Sequence, residues 1–102
     1  MATQTKWGKA QTSKRRGAGI MEYTTSGHGG FHVSPKLNAR IPSHFYREDG
    51  WYGEDCDWCL VVMTFPDRFH YERVVSALDA LERWHPVAFK IHTGKKAKRS
   101  LV

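Results

Sequence analysis

Residues 51–66, WYGEDCDWCLVVMTFP, constrain this chain more than any other stretch, because they join its densest acidic cluster to its longest apolar run. Glu54, Asp55 and Asp57 precede Trp58, Cys59, Leu60, Val61, Val62, Met63 and Phe65. Negative charge therefore falls where a helix beginning near Gly53 has its positive dipole end, and Pro66 stops it. The competing assignment is a fully buried strand, since Val61 and Val62 are β-branched and periodicity alone does not assign a short apolar run. Either way this is the central buried element.

Charge is segregated along the chain. Residues 1–17 carry Lys6, Lys9, Lys14, Arg15 and Arg16 with no acid, and residues 90–102 carry Lys90, Lys95, Lys96, Lys98 and Arg99, again with none. The segment between them holds six bases against all ten acids, so the net charge of +6 belongs to the ends and the body is acidic. At 102 residues the chain makes one domain with a single core. The expected organisation is a basic N-terminal arm at 1–17, a single α+β domain at 18–94 and a basic tail at 95–102. Both ends are expected to be flexible in isolation, with Trp7 pinning the first to the body.

No stretch approaches the roughly 18 apolar residues of a membrane span, and the N-terminus lacks a signal-peptide apolar segment. The expectation is a protein of the host-cell cytoplasm with no membrane association. Two cysteines three positions apart are too close for a disulfide framework and fit a reducing compartment.

In the body, residues 19–25 alternate as a strand, a Ser-Gly-His-Gly-Gly turn follows, and residues 31–34 alternate again, which predicts a β-hairpin. A helical turn near 36–40 and a packed loop to residue 50 come next. Residues 69–84 give the clearest helical pattern, with Tyr71, Val74, Val75, Leu78, Leu81 and Trp84 assigned to the apolar face and Asp67 as a cap. Pro86 closes that helix, and a short turn over 87–93 lays Phe89 and Ile91 on the core. The fold class is thus a small α+β domain, an N-terminal hairpin packed on two or three helices. Trp51, Trp58, Phe65, Phe69 and Trp84 are expected to supply much of the core.

Two of these motifs, TTSGHGGFHVSP at 24–35 and WYGEDCDW at 51–58, together with the FP and TG punctuation, resemble a family of small uncharacterised phage and mobile-element proteins. The resemblance covers most of residues 7–94. The chain departs from that pattern at Ser26, at Gly53 where the family has an acid, and at Cys59. What the resemblance implies is a mobile-element origin; it carries no chemistry.

Three constellations have chemical potential. His28, His32, Cys56 and Cys59 have the H-x3-H and C-x2-C spacings that tetrahedral zinc uses, although cysteines on an apolar stripe are ordinarily small buried hydrophobes, and the expectation is no metal and no cofactor. The Gly-rich turn around His28 exposes backbone amides to an anion, or simply closes the hairpin. Glu54, Asp55 and Asp57 are either paired carboxylates or a dipole-compensating helix start. Finally, Lys14, Arg15 and Arg16 with Lys95, Lys96, Lys98 and Arg99 would steer the chain to nucleic acid or an acidic protein surface.

These features point to non-catalytic binding of a host protein or ribonucleoprotein complex, with inhibition of a nucleic-acid-guided defence complex as the specific form. The partner-binding residues are the two basic groups with His28, Glu54, Asp55 and Asp57. A nucleic-acid-binding accessory protein and a small metal-dependent enzyme are the competing classes.

Overall fold

The computed structural model describes residues 3–94. Lys95, Lys96, Lys98 and Arg99, expected as partner-binding residues, lie outside them. The strands are β1 (Gln4–Thr5), β2 (Gly8–Lys9), β3 (Thr12–Arg15), β4 (Ile20–Thr24), β5 (Gly29–Val33) and β6 (Trp51–Gly53). The helices are α1 (Pro35–Asn38), α2 (Trp58–Thr64), α3 (Tyr71–Trp84) and α4 (Pro86–Thr93), with a 3-10 turn at Pro66–Arg68. Strands β3 to β6 form one antiparallel sheet in sequence order, and β1 pairs with β2 in a separate ribbon.

The expected hairpin is β4–β5, in the register Ile20↔Val33 through Thr24↔Gly29. Alternation puts Ile20, Glu22, Phe31, Val33 and Tyr52 on one face and Met21, Tyr23, His32 and Trp51 on the other. The first face is the core side: Ile20, Phe31, Val33 and Tyr52 are all at or below 1% exposure. Helix α2 packs on it, with Cys59, Leu60, Val61 and Val62 all buried. Four consecutive buried residues fit a helix enclosed on every side, here by the sheet and by α3, so the apolar run resolves as helix rather than strand.

That helix begins at Trp58, not near Gly53. Residues 54–57 form a turn, and the first turn of α2 holds no acid. Glu54 and Asp55 therefore do not compensate its dipole, and Asp57 at the N-cap makes no side-chain capping bond because its carboxylate is engaged elsewhere.

Helix α3 is capped by His70, whose side chain accepts from the Glu72 amide, in place of the expected Asp67. Its buried residues are Ala77 and Leu81, with Val74 and Ala80 packed against the core. Tyr71, Val75, Leu78 and Trp84, assigned by periodicity to the buried face, are exposed. Residues 86–93 form a full helix that starts with Pro86 at its first turn and ends at Gly94, in the left-handed conformation at φ 75°. Phe89 is buried as expected and Ile91 is not. Of the five expected core aromatics, Phe65 is buried, Trp58 and Phe69 pack against the core, Trp51 lies on the opposite face of the sheet and Trp84 faces outward.

The largest departure from expectation is at the N-terminus, where the basic segment is built into the fold. Thr12–Arg15 pairs with β4 from Thr12↔Thr24 to Arg15↔Met21, extending the sheet by an edge strand. The β1–β2 ribbon then carries Trp7 over the open face of β5 and β6. Gly30 is what admits the indole: at φ 153°, a Cβ there would come within 2.6 Å of the Trp7 ring and closer still to the Tyr52 carbonyl. Trp7 is the pin that the sequence suggested, attached to ordered strands.

Candidate functional site

The two motifs that carry the family resemblance meet at one corner of the sheet. Strand β5 begins where β6 ends, Gly30 pairs with Gly53, and the Glu54 amide donates to the Gly29 carbonyl at 2.9 Å. His28 consequently stands beside the acidic turn, its Nδ1 3.7 Å from Asp55 Oδ2, with its ring centroid 5.1 Å from that of Trp7. The Gly-rich turn is closed by its own bonds: the Thr25 amide and hydroxyl both donate to the His28 carbonyl, and the His28 amide donates to Thr25 Oγ1. The His28 amide is thus spent on the turn, which weighs against an anion cradle there.

The four-ligand set is not assembled. Among the described residues, the trios whose ligand atoms lie within 4.8 Å of one another are His28–Glu54–Asp55 and Cys56–Asp57–His85. His32 sits across the sheet against Trp51 at 4.5 Å, and Cys59 is fully buried with its thiol donating to the Cys56 carbonyl. Burial pushes the Cys59 thiol up to about 12. Cys56 is also raised, by burial and then by Asp57 and Asp55, so both free thiols stay protonated near neutrality and are poor nucleophiles.

Asp57 is a hub. Arg47 donates to both its oxygens at 3.1 Å, and His85 Nε2 lies 3.4 Å from Oδ1 and 2.9 Å from the Cys56 carbonyl oxygen. The His85 hydrogen bond, outweighing burial and joined by Arg47, holds the Asp57 carboxyl at about 2; the same bond raises His85. Arg47 and His85 were not singled out in the sequence. The trio ties the loop before β6, the start of α2 and the α3–α4 junction together, and with its charges matched it reads as a structural clamp.

A second clamp fixes α3 to the sheet. Glu22 accepts from Arg73 at 2.6 and 2.9 Å and from Arg16 at 2.9 Å. Burial pushes its carboxyl up, but the bonds from Arg73 and Arg16 together outweigh this and leave it below the usual carboxylate range. The Arg73 guanidinium also lies over the Phe31, Phe69 and Trp58 rings. Glu22, Glu54, Trp58 and Arg73 line a shallow cleft of about 220 Å³ whose charges are largely paired. Arg16 is thus held within the fold, while Lys14 and Arg15 are exposed on β3.

Among the described residues, two surfaces stand out beyond the core and the clamps. On α3, Tyr71, Val75 and Leu78 are exposed to 77%, 51% and 41%, and α4 adds Val87 at 73% and Ile91 at 58%. Spacings of four and three align the α3 residues in one stripe, roughly a quarter-turn from the Val74–Ala77–Leu81 seam at 100° per residue. On the other side of the molecule, the helix-free face of the sheet carries the row Arg15, Met21, His32 and Trp51, with Tyr23 and Trp7 beside it.

Fold and surfaces together define a small α+β domain with a helix-covered sheet. The chain belongs to the family of the domain of unknown function DUF7007, whose pattern matches residues 1–101. No curated protein and no solved structure matches it. Among the described residues, no helix is long and apolar enough to cross a membrane.

Proposed function

We propose that this chain is an accessory protein of a phage or other mobile element that acts by non-catalytic binding to a host protein, itself part of a larger macromolecular machine. The observation that carries this reading is the exposed apolar stripe of α3. Isolated exposed apolar residues are ordinary, but three aligned on one helix and left largely uncovered by the described residues are the pattern of a docking face. With Asp79 paired to Arg83 and Arg73 turned to Glu22, this helix offers Glu72 and Glu82 and no spare positive charge, so a protein suits this face better than nucleic acid or an anionic membrane. The paired charges of the two carboxylate clamps and the protonated cysteines favour binding over catalysis.

The test is capture from host lysate by the wild-type chain and by a Val75→Lys, Leu78→Lys variant of unchanged stability. A host protein held by the wild type should be lost from the variant, and titration with the purified protein should show the same loss. Equal retention by both chains would remove the α3 stripe from the account.

A further inference from the structure

We infer that the helix-free face of the sheet is a second binding site, specific for single-stranded nucleic acid. Unlike the α3 stripe, this surface combines stacking rings with unpaired positive charge. The registers place Arg15, Met21, His32 and Trp51 in one row across all four strands, each on the side away from the helices. Trp51 is the centre of a continuous ring cluster: its centroid lies 4.5 Å from His32, 5.4 Å from Trp7 and 6.0 Å from Tyr23. These rings are half-buried and lie outside the core; Trp7 also pins the β1–β2 ribbon, which leaves Tyr23, His32 and Trp51 as the rings the core does not use.

Aromatic side chains standing on a sheet accept unstacked bases on their faces without regard to sequence, whereas the bases of a duplex are already stacked and unavailable. Charge sets how the strand would lie. Arg15 on the β3 edge is exposed on this face and makes no ion pair among the described residues, while Lys14, exposed and opposite Glu22, lies on the other face at the same edge. The β6 edge is acidic, with Asp49, Glu54 and Asp55, and Asp49 is already paired to Lys6 at 2.7 Å. Phosphates therefore run along β3, and bases reach inward over Tyr23 and Trp51. The acidic edge limits how many phosphates are neutralised, which makes stacking a large share of the affinity.

The experiment is a fluorescence titration of the full chain with oligothymidine and oligouridine of about 12 nucleotides, within the span one small domain covers. The expected result is saturable quenching of tryptophan emission, with affinity reduced at least about fivefold by Trp51→Leu or Tyr23→Ala. Arg15→Gln, at an exposed position that the fold does not use, should flatten the dependence of log affinity on log salt by about one unit. A duplex of the same length should bind at least about tenfold more weakly, and a difference between oligothymidine and oligouridine would tell which strand the face prefers. Circular dichroism of each variant separates lost stacking from lost folding. No binding by either oligonucleotide, equal binding of the duplex, or affinity unchanged in a folded Trp51→Leu variant would each overturn the inference. The α3 stripe is untouched by these substitutions, so this outcome is independent of protein docking there.

Discussion

Replacing Leu81 and Leu78 separately by alanine separates the two apolar stripes of α3. Leu81 is fully buried, facing α2, and its removal leaves a cavity in the one core the domain has. Leu→Ala at such sites costs ~2 to 5 kcal/mol, and ~3 is a fair expectation here. Leu78 is 41% exposed and sits beside the seam, so its truncation removes side-chain contacts without opening a cavity and should cost under about 1 kcal/mol. A domain of this size has ~5 to 15 kcal/mol in total, so Leu81→Ala consumes a substantial part of it. With a urea slope of ~1.5 kcal/mol/M, the midpoint should fall by about 2 M for Leu81→Ala and by well under 1 M for Leu78→Ala. Urea unfolding followed by far-ultraviolet circular dichroism reads both. Equal midpoints, or a larger loss for Leu78→Ala, would refute the assignment of the seam and with it the exposed stripe.

The Asp57 clamp should make stability depend on pH at both ends. Asp57 is held at about 2 against 3.8 when free, so its contribution, on the order of 2 kcal/mol, is complete above 3.8 and lost as pH falls through about 2. His85 is raised above 6.5, so the same pair contributes fully below 6.5 and fades as pH rises through the higher folded value. Thermal midpoints from about pH 2 to 9 should show both slopes in the wild type, and His85→Gln should abolish the upper one; an unaltered profile would mean that the pair is not formed. Gly30→Ala should displace Trp7 and move tryptophan emission to the red of the wild type, because a Cβ cannot coexist with the indole and the Tyr52 carbonyl. Unchanged emission would deny that packing. Glu22→Gln should destabilise by ~1 to 3 kcal/mol, leaving Arg16 and Arg73 without their shared carboxylate, and a neutral effect in urea would show that the clamp contributes nothing.

The elements legible in the sequence were those whose signal is local. Alternation around a glycine turn marks β4–β5, an apolar run bounded by acids and Pro66 marks α2, and helical spacing marks α3. Thr12–Arg15 gave no such signal because all four residues are exposed; the strand exists because β4 offers an unpaired edge, a long-range cause. The phase of α3 misled for a different reason. Two stripes share the same period, and the bulkier one, Tyr71–Val75–Leu78, outweighs the true seam, which depends on the small Ala77. The convergence of His28 with Glu54 and Asp55 follows from the β5–β6 register, which spacing along the chain does not encode. Arg47 and His85 flank Asp57 from loops distant in sequence, so the acid looked like a helix-dipole partner until its neighbours were in place.

Site-specific photo-cross-linking tests the central claim, that the α3 stripe docks a host protein, most directly. A benzophenone side chain in place of Val75 lies on the stripe, and one in place of Lys36, an exposed residue of α1, serves as the control. After irradiation in host lysate, position 75 should yield a discrete adduct with a host protein that position 36 does not form and that Leu78→Lys suppresses. An adduct formed equally from both positions, or none from position 75 while position 36 reacts, would contradict it.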